Sequence, residues 1–251
     1  MEGHNMSHRP TKKVLDVLEI LSQSEIGLSL TEIARRTSIP KGSLFPILHT
    51  MADRGYIAFE EDKGCYSIGI KTYLAGRSFS KRDAHMAILT SQMRHMVIQC
   101  QETCQLGIRD GARALYIAKE ESPQPVRLKS DVGRTLPLYC TAIGKALMCD
   151  MEASDVEELL GDVLPAVTEN TVTTLPELQA QLAEVHKRRI AFDRGEITPA
   201  VSCVATAIRQ AGKLTYAISI SVPSYRFDNE KQQEIIELLD ASRDKLEKSL
   251  S

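Results

Sequence analysis

Three groups of side chains have the types and spacing to do chemistry. The first lies in KGSLFPILHT, residues 41–50, where Leu44, Ile47, Leu48 and then Met51 repeat at the spacing of one helix face. The opposite face carries Lys41, Ser43, Phe45, Pro46, His49 and Thr50. Lys41 and Ser43 near a helix start could reach phosphates or base edges, and Phe45 could meet a thymine methyl. Arg35 and Arg36 just upstream suit phosphate contacts, and Lys63 does so more weakly. Each of these also suits an ordinary exposed position. The second group is Asp193, Glu196, Cys203, Ser219 and Ser221. Ser219 and Ser221 are two apart, which places them on one side of a strand. With Cys203 they make a small polar wall that could hydrogen-bond a hydroxy- or oxo-acid, although Cys203 is equally compatible with a small core residue. Asp193 and Glu196 could bind ligand hydroxyls or cap a turn. The turn and helix start at Tyr139–Gly144 could present N–H groups to an anion.

The third group is the thiols: Cys65, Cys100, Cys104, Cys140, Cys149 and Cys203. Their scatter and a reducing compartment argue against disulfides. Cys100 and Cys104, four apart, are expected on one helix face, where they could hold two metal ligands. No second Cys/His pair at metal-ligand spacing accompanies them, so a buried thiol pair is expected, and no metal or other cofactor. Cys203 or Cys140 acting as a nucleophile would need a base within reach. His186 is the only histidine late in the chain, which leaves a thiol-dependent small-molecule enzyme as the alternative function. Gly144-Lys145 is not a phosphate loop, because Tyr139 stands where the first glycine belongs and Ala146 where Ser or Thr must follow. Lys145 is expected to anchor a helix end or an acidic neighbour.

The elements that must position these residues are legible in the periodicity. A first helix is expected from Thr11, as N-cap, through Val14, Val17/Leu18 and Leu21, closed by Ile26-Gly27. Ser29 and Glu32 form a capping box for a second, and Gly55 ends the helix bearing Lys41. Pro46 lacks an N–H and belongs in a first turn, so that helix should begin near Gly42 or Ser43, or bend. Alternation then gives short strands at Tyr56–Phe59 and Cys65–Ile68 around a Glu60–Gly64 turn. Three helices and a hairpin make a winged helix-turn-helix whose second motif helix enters a DNA groove. The wing tip, Glu60-Glu61-Asp62, is acidic and should play a minor part.

A linker helix over about 69–85 should present Ile70, Tyr73 and Leu74, and a long helix over about 82–102 should bury Ala87/Ile88, Met93 and Met96/Val97. Beyond it are expected a hairpin (105–109, 114–119) turned at Asp110-Gly111, a strand at 126–130, and helices at 141–148, 154–160 and 175–189. Strands at 203–209 and 214–222 and a terminal helix at 228–250 complete the pattern. The fold class is therefore α+β: a winged helix-turn-helix over 1–70, a linker helix over 71–90, and over 91–251 a domain of helices packed on an antiparallel sheet.

Composition agrees. At 251 residues with ordinary apolar content, the chain can form two cores without staples. No apolar run approaches the roughly 20 residues that span a bilayer. MEGHNMSHRPTKK has no signal-peptide stretch, so a cytoplasmic protein without a membrane partner is expected. The net charge of −2 hides an asymmetry: residues 1–82 hold twelve Lys/Arg against nine Asp/Glu, and the rest nineteen against twenty-four. A basic front and an acidic rear fit a small DNA-reading module joined to a larger domain that does not touch DNA.

Four stretches resemble the isocitrate-lyase-regulator (IclR) family of bacterial transcription factors: KKVLDVLEIL, GCYSIGIKTYLAG, GRTLPLYCTAIGKALM at 133–148, and SCVATAI with KLTYAISISVP over 202–223. The likeness covers nearly the whole chain. It implies a regulator, often a repressor, that binds double-stranded operator DNA as a dimer or tetramer. It also implies a GAF/PAS-like rear domain whose small, usually carboxylate-bearing effector modulates that binding. Ala142 and Ile143 match positions where the family contacts the effector carboxylate through main chain. Two departures stand out: Pro46 replaces an arginine that many members carry, and Ala207 replaces a frequent proline.

Overall fold

The structure, a computed structural model, describes residues 8–82, 84–127 and 131–251, with side chains described at all of these except 78–82 and 84. It divides into two compact units, 1–83 and 84–251. Among the described residues no helix is long and apolar enough to cross a membrane.

The first unit is built from α1 (Arg9–Ser22), β1 (Leu28–Ser29), α2 (Leu30–Thr37), α3 (Lys41–Asp53), β2 (Ile57–Glu60), β3 (Cys65–Ile68) and α4 (Ile70–Arg82). α1 starts earlier than Thr11: His8 is its N-cap and Pro10 sits in the first turn, where a fixed φ and a missing N–H cost nothing. Ser29 caps α2 through the expected box, its hydroxyl accepting the Glu32 amide at 3.3 Å and the Glu32 carboxylate accepting the Ser29 amide at 2.9 Å. That backbone bond, helped by the Ser29 hydroxyl, holds the Glu32 carboxyl below its usual range. Val17, Leu21, Ile33, Leu44, Leu48 and Ile57 close one core between the three helices and the hairpin. Each such side chain contributes roughly 1.5–3 kcal/mol by leaving water. β1, only two residues long and too short to show a period, adds a third strand by pairing Leu28 with Tyr66.

The second unit comprises α5 (Ala84–Cys100), β4 (Thr103–Asp110), β5 (Arg113–Glu120), β6 (Thr135–Pro137), α6 (Ala142–Met148), α7 (Ala153–Leu160), α8 (Leu175–Arg188), β7 (Ala191–Arg194), β8 (Val201–Gln210), β9 (Lys213–Pro223) and α9 (Asn229–Ser249). The antiparallel sheet runs β6-β5-β4-β9-β8-β7. The edge strands β6 and β7 are three and four residues long, too short for a readable alternation. The strand expected at 126–130 is absent at Val126 and Arg127, and its remainder lies outside the described residues. α5 buries Leu89, Met93, Met96 and Val97, whereas Ala87 and Ile88 face outward. Cys100 and Cys104 do not share a helix face. α5 ends at Cys100, Gln101 takes a left-handed φ of 59°, and Cys104 lies on β4.

The two faces of the sheet differ in side-chain size. Toward α5 and α9 it presents Val204, Ile208, Tyr216, Ile218, Ile220 and Val222. Toward α6 it presents Cys203, Ala205, Ala207, Ala217, Ser219 and Ser221, small enough for a helix to lie close. Gly107 extends this: a Cβ there would stand 2.8 Å from Ile143 Cγ2. At Gly144 a Cβ would fall inside the Leu138 backbone, since the chain doubles back immediately before α6. Gly144→Ala is therefore expected to lower the urea stability of the second unit by about 3 kcal/mol or more. Far-UV circular dichroism of the full chain reads this, and an unchanged midpoint would contradict such packing.

Candidate functional site

In α3, Leu44, Leu48 and Met51 are buried while Lys41, Gly42, Ser43, Phe45, Pro46, His49 and Thr50 are exposed. The helix begins at Lys41, earlier than the proline suggested, so Pro46 lies inside it rather than in its first turn. The start is set by Pro40, whose carbonyl accepts the Ser43 and Leu44 amides at 2.9 and 3.0 Å. Phe45 and His49 lie side by side, ring centroids 6.3 Å apart. Arg35 and Arg36 are exposed in the last turn of α2. In the wing, Lys63 donates to Glu60 at 2.6 Å, so the one cation of the tip is paired by its own turn. Glu61 and Asp62 stay exposed beside it, leaving the tip acidic.

In the second unit a cavity of about 40 Å³ lies between the start of α6 and the small-residue face, lined among others by Gln105, Tyr116, Arg134, Thr141, Asp193 and Cys203. Cys203 Sγ is 3.2 Å from Ser221 Oγ, which donates to Gln105 Oε1 at 3.0 Å. Ser221 thus stands behind the cavity wall. Ser219 is buried on the same face, in register between Gln105 and Ala205. Ala142 and Ile143 are buried at the start of α6 and contribute no side chain to the lining. Their neighbour Thr141 does line it. Its hydroxyl caps α6 by accepting the Gly144 amide at 3.0 Å and donates to Pro137 O at 3.1 Å.

Asp193 and Glu196 divide between two places. Asp193 lines the cavity, its Oδ1 accepting the Glu196 amide at 2.7 Å. Burial pushes its carboxyl up to about 7, against the pull of the Glu196 amide and with a further push from the Glu196 carboxylate. Glu196 turns instead to Lys145, which is buried in α6. The Lys145 ammonium donates to Glu196 Oε1 and, at 3.1 Å, to Phe192 O. A buried ion pair of this kind fixes geometry more than it adds stability. It ties α6 to β7 and to the turn after it, and so fixes the Asp193 carboxylate.

Gln105, Tyr116 and Arg134 line the cavity although they are not among the ligand residues expected from sequence, whereas Thr141 falls in the Tyr139–Gly144 stretch expected to face an anion. A signal existed for Gln105, a lone amide inside the apolar run CQLGI. Among the described residues the Cys203 thiol pairs with the Ser221 hydroxyl and not with a histidine. Burial pushes the Cys203 thiol well up and that of Cys140 up to about 12. His186 Nδ1 is engaged elsewhere, 2.9 Å from Cys149 O.

Residues 10–61 match the IclR helix-turn-helix domain and residues 81–248 the bacterial transcriptional regulator IclR C-terminal domain. The chain belongs to the IclR family. It is a DNA-binding transcriptional regulator and not an enzyme. The HTH-type transcriptional regulator KdgR of Escherichia coli (strain K12) is 31% identical over 237 residues, 93% of this chain and 89% of its own. The fold matches that of an IclR regulator from Alicyclobacillus acidocaldarius at TM-score 0.89 and 23% identity, covering 98% of this chain and 100% of that one. An IclR homologue from Microbacterium hydrocarbonoxydans, complexed with 4-hydroxybenzoate, matches at TM-score 0.85 and 21% identity over 95% and 97% of the two chains. The IclR α+β architecture read from the sequence, a helix-turn-helix followed by an antiparallel-sheet domain, is the one found.

The raised Asp193 carboxyl makes stability pH-dependent. The native state keeps this proton up to about pH 7, whereas an unfolded aspartate releases it near pH 4. More protons are bound in the native state across that window, so this group's contribution to stability falls as pH rises through it. Asp193→Asn is expected to flatten the stability profile between roughly pH 4 and 7 in urea titrations, and an unaltered slope would show that Asp193 titrates normally.

Proposed function

We propose that this IclR-family protein is a metabolite-responsive regulator in which a symmetric dimer or tetramer reads a palindromic operator and a small carboxylate-bearing effector binds in the second unit. α3 enters the major groove, with Lys41, Ser43, Phe45 and His49 toward the bases and Arg35 and Arg36 toward phosphate. The observation that carries the effector reading is the polar set around the cavity. Arg134 stands exposed at its edge, and Gln105, Tyr116, Thr141 and Asp193 converge within it. A guanidinium is suited to a carboxylate, and an Asp193 that is part-protonated near neutral pH can donate to an oxo group or accept from a hydroxyl. Ala142 and Ile143 contribute main chain at the α6 start, while Cys203, Ser219, Ser221 and Glu196 shape or brace the walls. The bound 4-hydroxybenzoate of the Microbacterium relative supports an aromatic or aliphatic hydroxy acid as the class to test first.

The cavity volume of about 40 Å³ has a consequence. Small-molecule sites commonly need roughly 300 Å³ or more, so entry of an effector must displace lining side chains. A ligand that favours the opened arrangement shifts the equilibrium toward it by its differential affinity. Screening hydroxy and oxo acids by thermal shift and operator gel shift tests this reading. One class is expected to raise Tm and change operator affinity together, with Arg134→Ala weakening the ligand about tenfold or more. An effect that survives both Arg134→Ala and Asp193→Asn would place the effector elsewhere.

Self-association is assigned to α4, where Ile70, Tyr73 and Leu74 lie on one face and are 67%, 59% and 51% exposed. A second copy supplies the matching apolar face, and two copies give the two half-sites of a palindrome. Leu74→Glu combined with Tyr73→Glu is expected to give monomers in sedimentation and to abolish cooperative operator binding. Unchanged oligomers would rule this face out.

A further inference from the structure

α3 carries a distinctive backbone feature on its outer face. Gly42, Pro46, His49 and Asp53 follow one another at helical spacing directly opposite the buried Leu44, Leu48 and Met51, and all four are exposed. In a regular helix the Gly42 carbonyl accepts the amide of residue 46. Proline has no amide, and its ring crowds the carbonyl four residues back. The Gly42 carbonyl, in the first turn of α3 on its outward face, thus lacks the amide donor that a regular helix would supply. Gly42 also has no side chain, and open space surrounds the position a Cβ would take. The backbone itself can therefore approach a partner closely. The other groups nearby do not replace this function: Thr50 gives its hydroxyl proton to Pro46 O at 2.8 Å, and Phe45 and the Pro46 ring are apolar.

We propose that the Gly42 carbonyl, released by Pro46, is a specificity element that accepts a hydrogen bond from an exocyclic amino group, adenine N6 or cytosine N4, in the major groove of each half-site. This rests on the reading above that α3 is the groove helix. An acceptor here selects against guanine O6 and N7 and thymine O4, which are themselves acceptors. Phe45 and the Pro46 ring flank it with apolar surface that fits thymine methyls. The recognition face then reads amino and methyl groups, with no long cationic side chain at its centre.

The test starts from an operator selected by the full-length protein from random duplexes. Each adenine is replaced in turn by the purine lacking its 6-amino group, and each cytosine by 2-pyrimidinone, which lacks the 4-amino group. Wild-type protein is expected to lose about tenfold in affinity at one position per half-site. Pro46→Ala restores the internal amide on an exposed face with a good helix former, so the fold survives. It is expected to bind the modified and unmodified duplexes equally at that position. Gly42→Ala adds a methyl that the free protein accommodates and the groove does not, and it is expected to weaken all operators. Discrimination that persists in Pro46→Ala overturns the proposal, as does a wild-type protein indifferent to every amino group. Phe45→Ala and His49→Ala separate the two possible failures. If they too leave every base preference unchanged, α3 is not the reading helix, and the interface assignment falls together with the carbonyl.

Discussion

The second unit depends on one steric constraint, the close approach of α6 to a sheet face of small side chains. Ala205, Ala207, Ala217, Ser219 and Gly107 leave the room, and Gly144 lets the chain pass against its own Leu138 backbone. That approach puts Thr141 at the cavity and, one turn later, brings Lys145 to Glu196. Burying an ammonium and a carboxylate is costly unless both are paired. The pair therefore holds the turn after β7 in one arrangement, and Asp193, which accepts the Glu196 amide, is held with it. Packing, ion pair and cavity are one connected structure. On the effector reading proposed above, a ligand that expands the cavity would work against all three.

The first unit solves a different problem, presenting a polar and apolar face of α3 while burying the other. The capping box fixes the start of α2, and Ser38 in a left-handed conformation turns the chain into Pro40, which starts α3. Leu44, Leu48 and Met51 then anchor α3 in the shared core, so its outer face is set by rotation alone. Pro46 costs this helix a hydrogen bond, yet α1, β1, α2, β2 and β3 all share the core that holds the unit together. The position is affordable only because its neighbours are packed independently of it.

What sequence alone determined here is whatever rests on local periodicity and backbone chemistry. The period of Leu44, Leu48 and Met51 gave the exposed face of α3, the Ser29–Glu32 box gave the α2 start, and Asp110-Gly111 gave the first hairpin of the second unit, because these depend on neighbours in the chain. Four ordered motifs gave the family. Tertiary structure decided the rest. β1, β6 and β7 exist through pairing with distant strands and are too short to carry a period. Cys100 and Cys104 looked like a helix pair by spacing, but the helix ends between them. Asp193 and Glu196 are three apart in sequence yet one lines the cavity and the other meets Lys145, because β7 ends at Arg194 and Glu196 lies in the turn beyond it. Gln105, Tyr116 and Arg134 come from β4, β5 and the approach to β6, and only the sheet order brings them to Asp193. Spacing along the chain encodes which face a residue takes within its own element; which residues meet across elements is fixed by long-range pairing and close packing, and these leave no local period to read.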